Sequence, residues 1–375
     1  MILHRKAIGV CIFSFTILLS LISCKSNKSS VLETVGTTNK EKSIRLLLPE
    51  NQSDNVQITN NLILSFISEP YTLNCCDKYF DLESDKFAPS EIRFKWESDS
   101  SSQNSCELLI SEYSDFSKTE VYATSNFELN ISGLKGGTTY YWKVRNNIEE
   151  SETFCFTTAA SPRTVNIDGV SNTRDMGGWK TLDGAVLKQG IVYRTATLDK
   201  ITEEGIDYCV NVLGIKTELD LRKSDEGNSG ESMLGPSVNY IQISGPYYVG
   251  EGSIYSEENF EVTRKILEVF ADKDNYPILF HCTVGRDRTG TIAFLLEALC
   301  NMSKDNIYRE YDLSLFSANG DHAPSVMHKN FFTPMFRKLE VYGDGTLSEN
   351  ARQYMLDIGL TEAQINAIKN NLLLY

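Results

Sequence analysis

Residues 276–299 constrain the fold of this chain more than any other stretch. Tyr276-Pro277-Ile278-Leu279-Phe280 is a short apolar run, the pattern of a buried strand, and Thr291 to Leu299 is apolar enough for a buried helix. Between them lies His281-Cys282-Thr283-Val284-Gly285-Arg286-Asp287-Arg288-Thr289-Gly290. A strand that enters a helix through a glycine-containing loop aims successive backbone N–H groups at one point, and the positive end of the helix dipole adds to them. The expected product is a cradle for a dianion such as phosphate, built from Thr283, Val284, Gly285, Arg286 and Gly290. Cys282 opens the loop, so its sulfur faces the bound centre. Arg288 closes it with a planar fork that takes two oxygens at once, which lysine cannot do. The positive field of the loop favours the thiolate, the nucleophilic form of Cys282.

Around this segment the second half of the chain alternates strand and helix. Residues 201–213 and 258–271 carry apolar positions at helical spacing, and 215–221 and 278–280 read as strands. That alternation predicts an α/β layer with a mostly parallel central sheet over residues 161–375. Residues 55–160 have a different grammar. Runs such as Ile92-Arg93-Phe94-Lys95-Trp96 and Tyr140-Tyr141-Trp142-Lys143-Val144 alternate with period two and are separated by polar turn clusters, which predicts an all-β sandwich. The fold class is therefore α+β and multidomain. The runs at Phe94-Lys95-Trp96, Thr139 to Val144 and Phe154-Cys155-Phe156-Thr157-Thr158 resemble a fibronectin type III domain. Alternating Trp and Tyr in such a domain are expected in its core rather than on a ligand platform.

The first residues carry an export pattern. Arg5 and Lys6 precede an apolar run from Ala7 to Ile22 that closes on Leu21-Ile22-Ser23-Cys24, a charged region, an apolar region and a small residue before a cut. The run is short for a bilayer span. The tetrapeptide resembles the lipobox of bacterial lipoproteins, which implies a signal peptide over 1–23, Cys24 as the lipid anchor, and a chain exported and tethered to the cell envelope. Residues 24–54 are expected to act as the tether, on the strength of the Ser-, Asn-, Thr- and Lys-rich text from Lys25 to Lys42.

Composition narrows the chemistry. With 36 Lys and Arg against 50 Asp and Glu, the net charge of −14 excludes non-specific nucleic-acid binding. Its four histidines, His4, His281, His322 and His328, form no metal-ligand spacing with Cys or carboxylates, so neither a metal nor a cofactor is expected. Residues 319–334, which hold His322 and His328, read as a loop.

The decisive loop has the HCxxGxxRTG pattern of the cysteine-dependent tyrosine phosphatases. Asn172-Thr173-Arg174-Asp175-Met176-Gly177-Gly178, Gly190-Ile191-Val192-Tyr193-Arg194-Thr195 and Gly214 to Arg222 resemble the bacterial and fungal branch whose loop reads HCxxGKDRTG. The resemblance implies attack by the Cys282 thiolate on phosphorus, stabilisation of the oxygens by Arg288 and the loop amides, and help from Thr289 in expelling the thiolate. His281 would orient the cysteine and its loop. No Trp-Pro-Asp loop is present, so the leaving oxygen needs a proton donor from elsewhere. Asp287, just before Arg288, is the first choice and Asp220 the second. The implied partners are a phosphorylated protein, most directly phosphotyrosine, or alternatively a phosphoinositide or inositol phosphate. A third reading is an inactive phosphate-binding or adhesion lipoprotein. Arg286 stands where the family has lysine, which keeps charge but not shape. Arg174, Asp175, Arg194 and Arg222 are expected to brace the loop through buried ion pairs rather than to touch substrate.

Overall fold

The computed structural model describes residues 43–72, 75, 77–79, 88–99, 105–227, 230–247, 253–317 and 328–375. The export pattern, Cys24 and His322 lie outside the described residues.

The first half is a two-sheet sandwich. Strands β1 (Ile44–Leu48), β3 (Ile92–Ser98) and β6 (Glu128–Ile131) form one sheet in the order β1-β3-β6. Strands β2 (Ser53–Val56), β4 (Cys106–Ser111), β5 (Glu120–Thr124), β7 (Thr139–Arg145) and β8 (Phe154–Thr158) form the other, in the order β2-β8-β7-β4-β5. Alternate residues point inward as the period predicts: Phe94, Trp96, Trp142 and Val144 are fully buried, and the Phe94 and Trp142 rings meet edge-on at 5.2 Å. The two tryptophans are core, not a platform. The sandwich also starts before residue 55. Ile44 and Leu46 of β1 alternate inward and pair with β3, which takes residues 44–48 out of the expected tether.

Between β2 and β3 the chain sends residues 61–71 out of the sandwich to the second half. Helix α1 (Asn61–Ser68) is capped by the Asn60 side chain, which accepts the N–H of Ile63 at 3.0 Å. Its buried face does not return to the sandwich: Ile63 and Phe66 belong to the apolar core of the second half, where Phe66 packs on Phe316 with ring centroids 5.3 Å apart. Tyr71 stacks on Tyr308 at 5.5 Å and donates to the Asp312 carboxylate at 3.0 Å. Both halves are thus stapled by an excursion of the first. Phe66→Ala is expected to cost about 3–5 kcal/mol. Urea unfolding of the full chain, followed by the signal of the second half, checks it; an unchanged midpoint would mean that the staple adds nothing.

The second half is a five-stranded sheet in the order β13-β12-β14-β11-β9, with β13 (Asn239–Gln242), β12 (Thr217–Asp220), β14 (Ile278–His281) and β11 (Val192–Thr195) parallel and β9 (Arg174–Asp175) antiparallel at the edge. A separate two-stranded ladder pairs β10 (Val186–Leu187) with β15 (Leu373–Leu374), and both faces of the five-stranded sheet are covered, as a parallel sheet requires. Ile278 and Phe280 face a core shared with helices α3 (Phe260–Ala271) and α4 (Asp287–Leu299), while Leu279 and Tyr193 face a second core with Val165, Leu198 and Cys209. α4 is buried from Arg288 to Leu299, which explains its all-round apolar sequence. Helices α5 (Lys304–Asp312), α6 (Thr333–Glu340), α7 (Leu347–Asp357) and α8 (Glu362–Leu372) complete the α-layers, and α2 (Glu203–Asp207) lies in the expected stretch 201–213. No helix among the described residues is long and apolar enough to cross a membrane.

Candidate active site

The parallel strands deliver the chemistry to one edge. Thr195 at the end of β11 and Asp220 at the end of β12 are both in register with His281 at the end of β14. Residues 282–286 then cross from β14 to the first turn of α4, at the carboxyl ends of the strands where ligands of open α/β sheets bind.

The loop is held from outside. The carbonyl of Thr283 accepts the Thr197 N–H at 3.1 Å, that of Val284 accepts Asn172 Nδ2 at 2.9 Å, and that of Gly285 accepts Arg194 Nη2 at 2.8 Å. Peptide N–H and C=O groups point in opposite directions, so carbonyls tied outward turn the amides inward. Gly285 has φ +73°, and a Cβ there would stand 2.2 Å from the Thr195 carbonyl oxygen, so no other residue fits. Its N–H donates to Cys282 Sγ at 3.3 Å inside the loop.

A buried ionic network stands behind these ties. Arg194 pairs with Glu310, which also takes Arg174 Nε at 2.7 Å, and Arg174 reaches Asn172 Oδ1 at 2.6 Å and Ser314 Oγ at 3.0 Å. Burial and the like charge of Arg194 lower Arg174 to about 10. Burial pushes the Glu310 carboxyl up, but Arg174 and Arg194 outweigh it and hold it ionised. The neighbouring Glu297 goes the other way, raised by burial and by the Glu310 charge. Arg174 and Arg194 therefore brace the loop rather than face the cradle, whereas Asp175 pairs with Arg163 at 3.3 Å and accepts the Gly177 and Gly190 N–H groups instead of bracing the loop.

His281 is fully buried beneath the loop, with Nε2 3.1 Å from Glu218 Oε1 and Nδ1 3.3 Å from the Cys282 carbonyl oxygen. Asp220 is fully buried as well. Arg222 grips it through Nε at 3.0 Å and Nη2 at 2.8 Å, and the Tyr240 hydroxyl donates to it at 3.1 Å. Burial pushes the Asp220 carboxyl up, but the Arg222 hydrogen bonds and His281 prevail and hold its pKa below the ordinary range. A carboxylate kept ionised in this way accepts hydrogen bonds and does not donate a proton. Asp287, by contrast, begins α4 partly exposed, with Oδ1 3.2 Å from Arg286 Nε. Thr289 is fully buried, and its hydroxyl has no hydrogen-bond partner among the described residues.

Arg288 closes the loop with Nη2 on Thr283 Oγ1 at 3.1 Å and Nη1 on Glu226 Oε2 at 2.6 Å. Its guanidinium carbon lies 5.1 Å from the ring centre of Tyr247. Thr283 and Val284 form one end of a cleft of about 590 Å³ whose walls include Asp168, Asp199 and Lys200. The structure thus gathers Cys282, Asp287, Arg288 and Thr289 in and beside one loop and places Asp220 and His281 beneath it. Sequence reasoning missed Glu226 and Glu310, and quoted Asn172 and Glu218 only within the landmark runs, without a role. The one signal available was a glutamate at a buried position of α5, between Ile307 and Tyr311.

A profile of the tyrosine phosphatase family matches residues 165–374. The chain belongs to the tyrosine phosphatase family. Among curated proteins this family member is 27% identical over 169 residues to a protein of Cupriavidus necator named as a tyrosine-protein phosphatase, covering 38% of this chain and 60% of the relative. It is 28% identical over 148 residues to a tyrosine-protein phosphatase of Nostoc commune, covering 34% and 49%. The chain thus spans about half to three fifths of the length of these relatives. Among solved structures it is similar to the core catalytic domain of the PP-IP phosphatase SIW14 from S. cerevisiae, at 19% identity and a TM-score of 0.29, covering 41% of this chain and 90% of that one. The P. aeruginosa protein TpbA, solved in complex with pTyr, matches at 17% identity and a TM-score of 0.28, covering 46% and 90%.

Proposed function

We propose that this family member hydrolyses phosphomonoesters through a phosphocysteine intermediate on Cys282, with phosphotyrosine in proteins as the substrate. One observation carries the reading: Cys282 Sγ accepts an N–H from inside a loop whose carbonyls are tied outward and whose far end is closed by Arg288. Phosphate bound there places phosphorus against sulfur. The thiolate attacks in line, the loop amides and Arg288 take up the charge on the equatorial oxygens, and Asp287 protonates the leaving oxygen. Water then displaces the cysteine from phosphorus, and the Thr289 hydroxyl stabilises the departing thiolate.

The choice of phosphotyrosine over inositol phosphates rests on charge. Among the described residues the cations beside the cradle face carboxylates: Arg288 pairs with Glu226, Arg222 with Asp220 and Asp199, and Arg286 lies against Asp287. The adjoining cleft sets Asp168 and Asp199 against Lys200. A polyphosphorylated inositol finds no surplus of positive charge there, whereas a phosphopeptide needs one cradle only. Parallel turnover of phosphotyrosine peptides, phosphoserine peptides and phosphoinositides by residues 25–375 tests it. Faster hydrolysis of phosphoinositides would reverse the substrate assignment, and no hydrolysis of any would favour the inactive, phosphate-binding alternative.

The sandwich is proposed to be of the fibronectin type III kind, supported by its two sheets of three and five strands and the buried Trp96. Amide hydrogen-exchange and cross-strand contacts measured by NMR that do not follow the pairings β1-β3-β6 and β8-β7-β4-β5 would sink that assignment. The chain is further proposed to be a lipoprotein anchored through Cys24. Expression of the full chain with Cys24→Ala is expected to move it from the membrane pellet to the soluble fraction; retention in the pellet would point to an uncleaved helix instead.

A further inference from the structure

The fork of Arg288 is gripped from outside its own loop. Glu226 lies 62 residues earlier, in the turn after β12, and its Oε2 takes Nη1 of Arg288 at 2.6 Å while the Leu221 carbonyl takes the same nitrogen at 3.3 Å. The turn fixes the carboxylate in its turn: the Lys223 N–H reaches Glu226 Oε2 at 3.4 Å, and the Glu226 N–H donates to the Lys223 carbonyl at 3.1 Å. The Tyr247 ring covers one face of the guanidinium. Nε has no hydrogen-bond partner among the described residues. A guanidinium offers an oxyanion two parallel N–H groups from one edge, and the edge that Glu226 leaves to a ligand is the one carrying Nε and Nη2, of which Nη2 also holds Thr283 Oγ1 at 3.1 Å.

We propose that Glu226 is a positioning residue for phosphate capture. Its carboxylate turns the Nε–Nη2 edge of Arg288 toward the cradle before substrate arrives. Its negative charge, held against the cradle's main cation, also weakens retention of the product phosphate. The first effect is geometric and serves the transition state. The second is electrostatic and acts on every phosphate dianion in the site. The inference rests on the phosphatase reading of the same site.

The two effects separate by substitution in the full chain. Glu226→Gln keeps a carbonyl acceptor for Nη1 and removes the charge; Glu226→Ala removes both. With p-nitrophenyl phosphate, Glu226→Ala is expected to lower kcat by about 10- to 100-fold. Glu226→Gln should hold kcat within about threefold and tighten inorganic phosphate, measured by equilibrium titration, by about tenfold. A kcat for the Ala variant equal to the parent's, a loss in the Gln variant as deep as in the Ala variant, or an unchanged phosphate affinity in the Gln variant would each overturn the proposal. The last measurement needs no stable Ala variant. A parent chain that neither turns over p-nitrophenyl phosphate nor binds phosphate would instead remove the phosphatase reading itself.

Discussion

Cys282→Ser is expected to lower turnover by at least about 10⁴-fold while leaving phosphate binding and the fold intact. The expectation follows from how the loop is held. Its shape comes from Thr197, Asn172 and Arg194 pulling on carbonyls, and none of these contacts involves the sulfur. Serine therefore sits in the same cradle, but its hydroxyl is a far weaker nucleophile than a thiolate and a poorer group to expel from the phosphoryl intermediate. Titration with inorganic phosphate reads the cradle, and p-nitrophenyl phosphate reads the nucleophile. Vanadate, which imitates the five-coordinate phosphorus, should inhibit the parent. Full activity in Cys282→Ser, or its complete loss from the parent in EDTA, would remove the thiolate mechanism.

The contrast between what these experiments address and what surrounds it has a physical cause. The phosphate loop was legible in sequence because its chemistry fixes residue types at fixed spacing: a thiol first, a glycine where φ must be positive, an arginine last. The parallel sheet was legible because strands buried on both faces read as short apolar runs separated by helical periodicity. The groups that support the loop were not. Glu310 and Arg194 are 116 residues apart, and Glu226 and Arg288 are 62 apart, so no local pattern links them. A lone glutamate in a helix otherwise signals a solvated face. The α1 excursion was hidden for a related reason: Asn61 to Ser68 is only eight residues long and nearly continuously apolar, and such runs are ambiguous between strand and helix. What makes it a helix is its cap and the second half's apolar surface, which lies far away in sequence. The start of β1 was masked by the Ser- and Asn-rich text on either side of it.

Asp287→Asn is expected to separate the roles of the two candidate carboxylates. Loss of a proton donor costs about 10²- to 10⁴-fold when the leaving group is poor, and much less for p-nitrophenolate, which departs without help. Asp287→Asn should therefore cut turnover of phosphotyrosine peptides far more than that of p-nitrophenyl phosphate, and flatten the basic limb of the pH profile. Asp220→Asn should act differently, because Asp220 is an ionised brace between Arg222 and His281. Its effect should be equal on both substrates and should appear in stability. A carboxylate whose folded pKa is depressed contributes stability above its unfolded value, about 3.9, and loses that contribution as pH falls through the folded value. The destabilisation of Asp220→Asn should then be full at neutral pH and shrink in acid below pH 4, as urea titrations across that range would show. Equal losses on both substrates for Asp287→Asn, with a leaving-group-dependent loss for Asp220→Asn, would move the acid role from the loop to the end of β12. In that case the Arg222 grip would have to open during turnover, since no proton leaves a carboxylate that is held ionised.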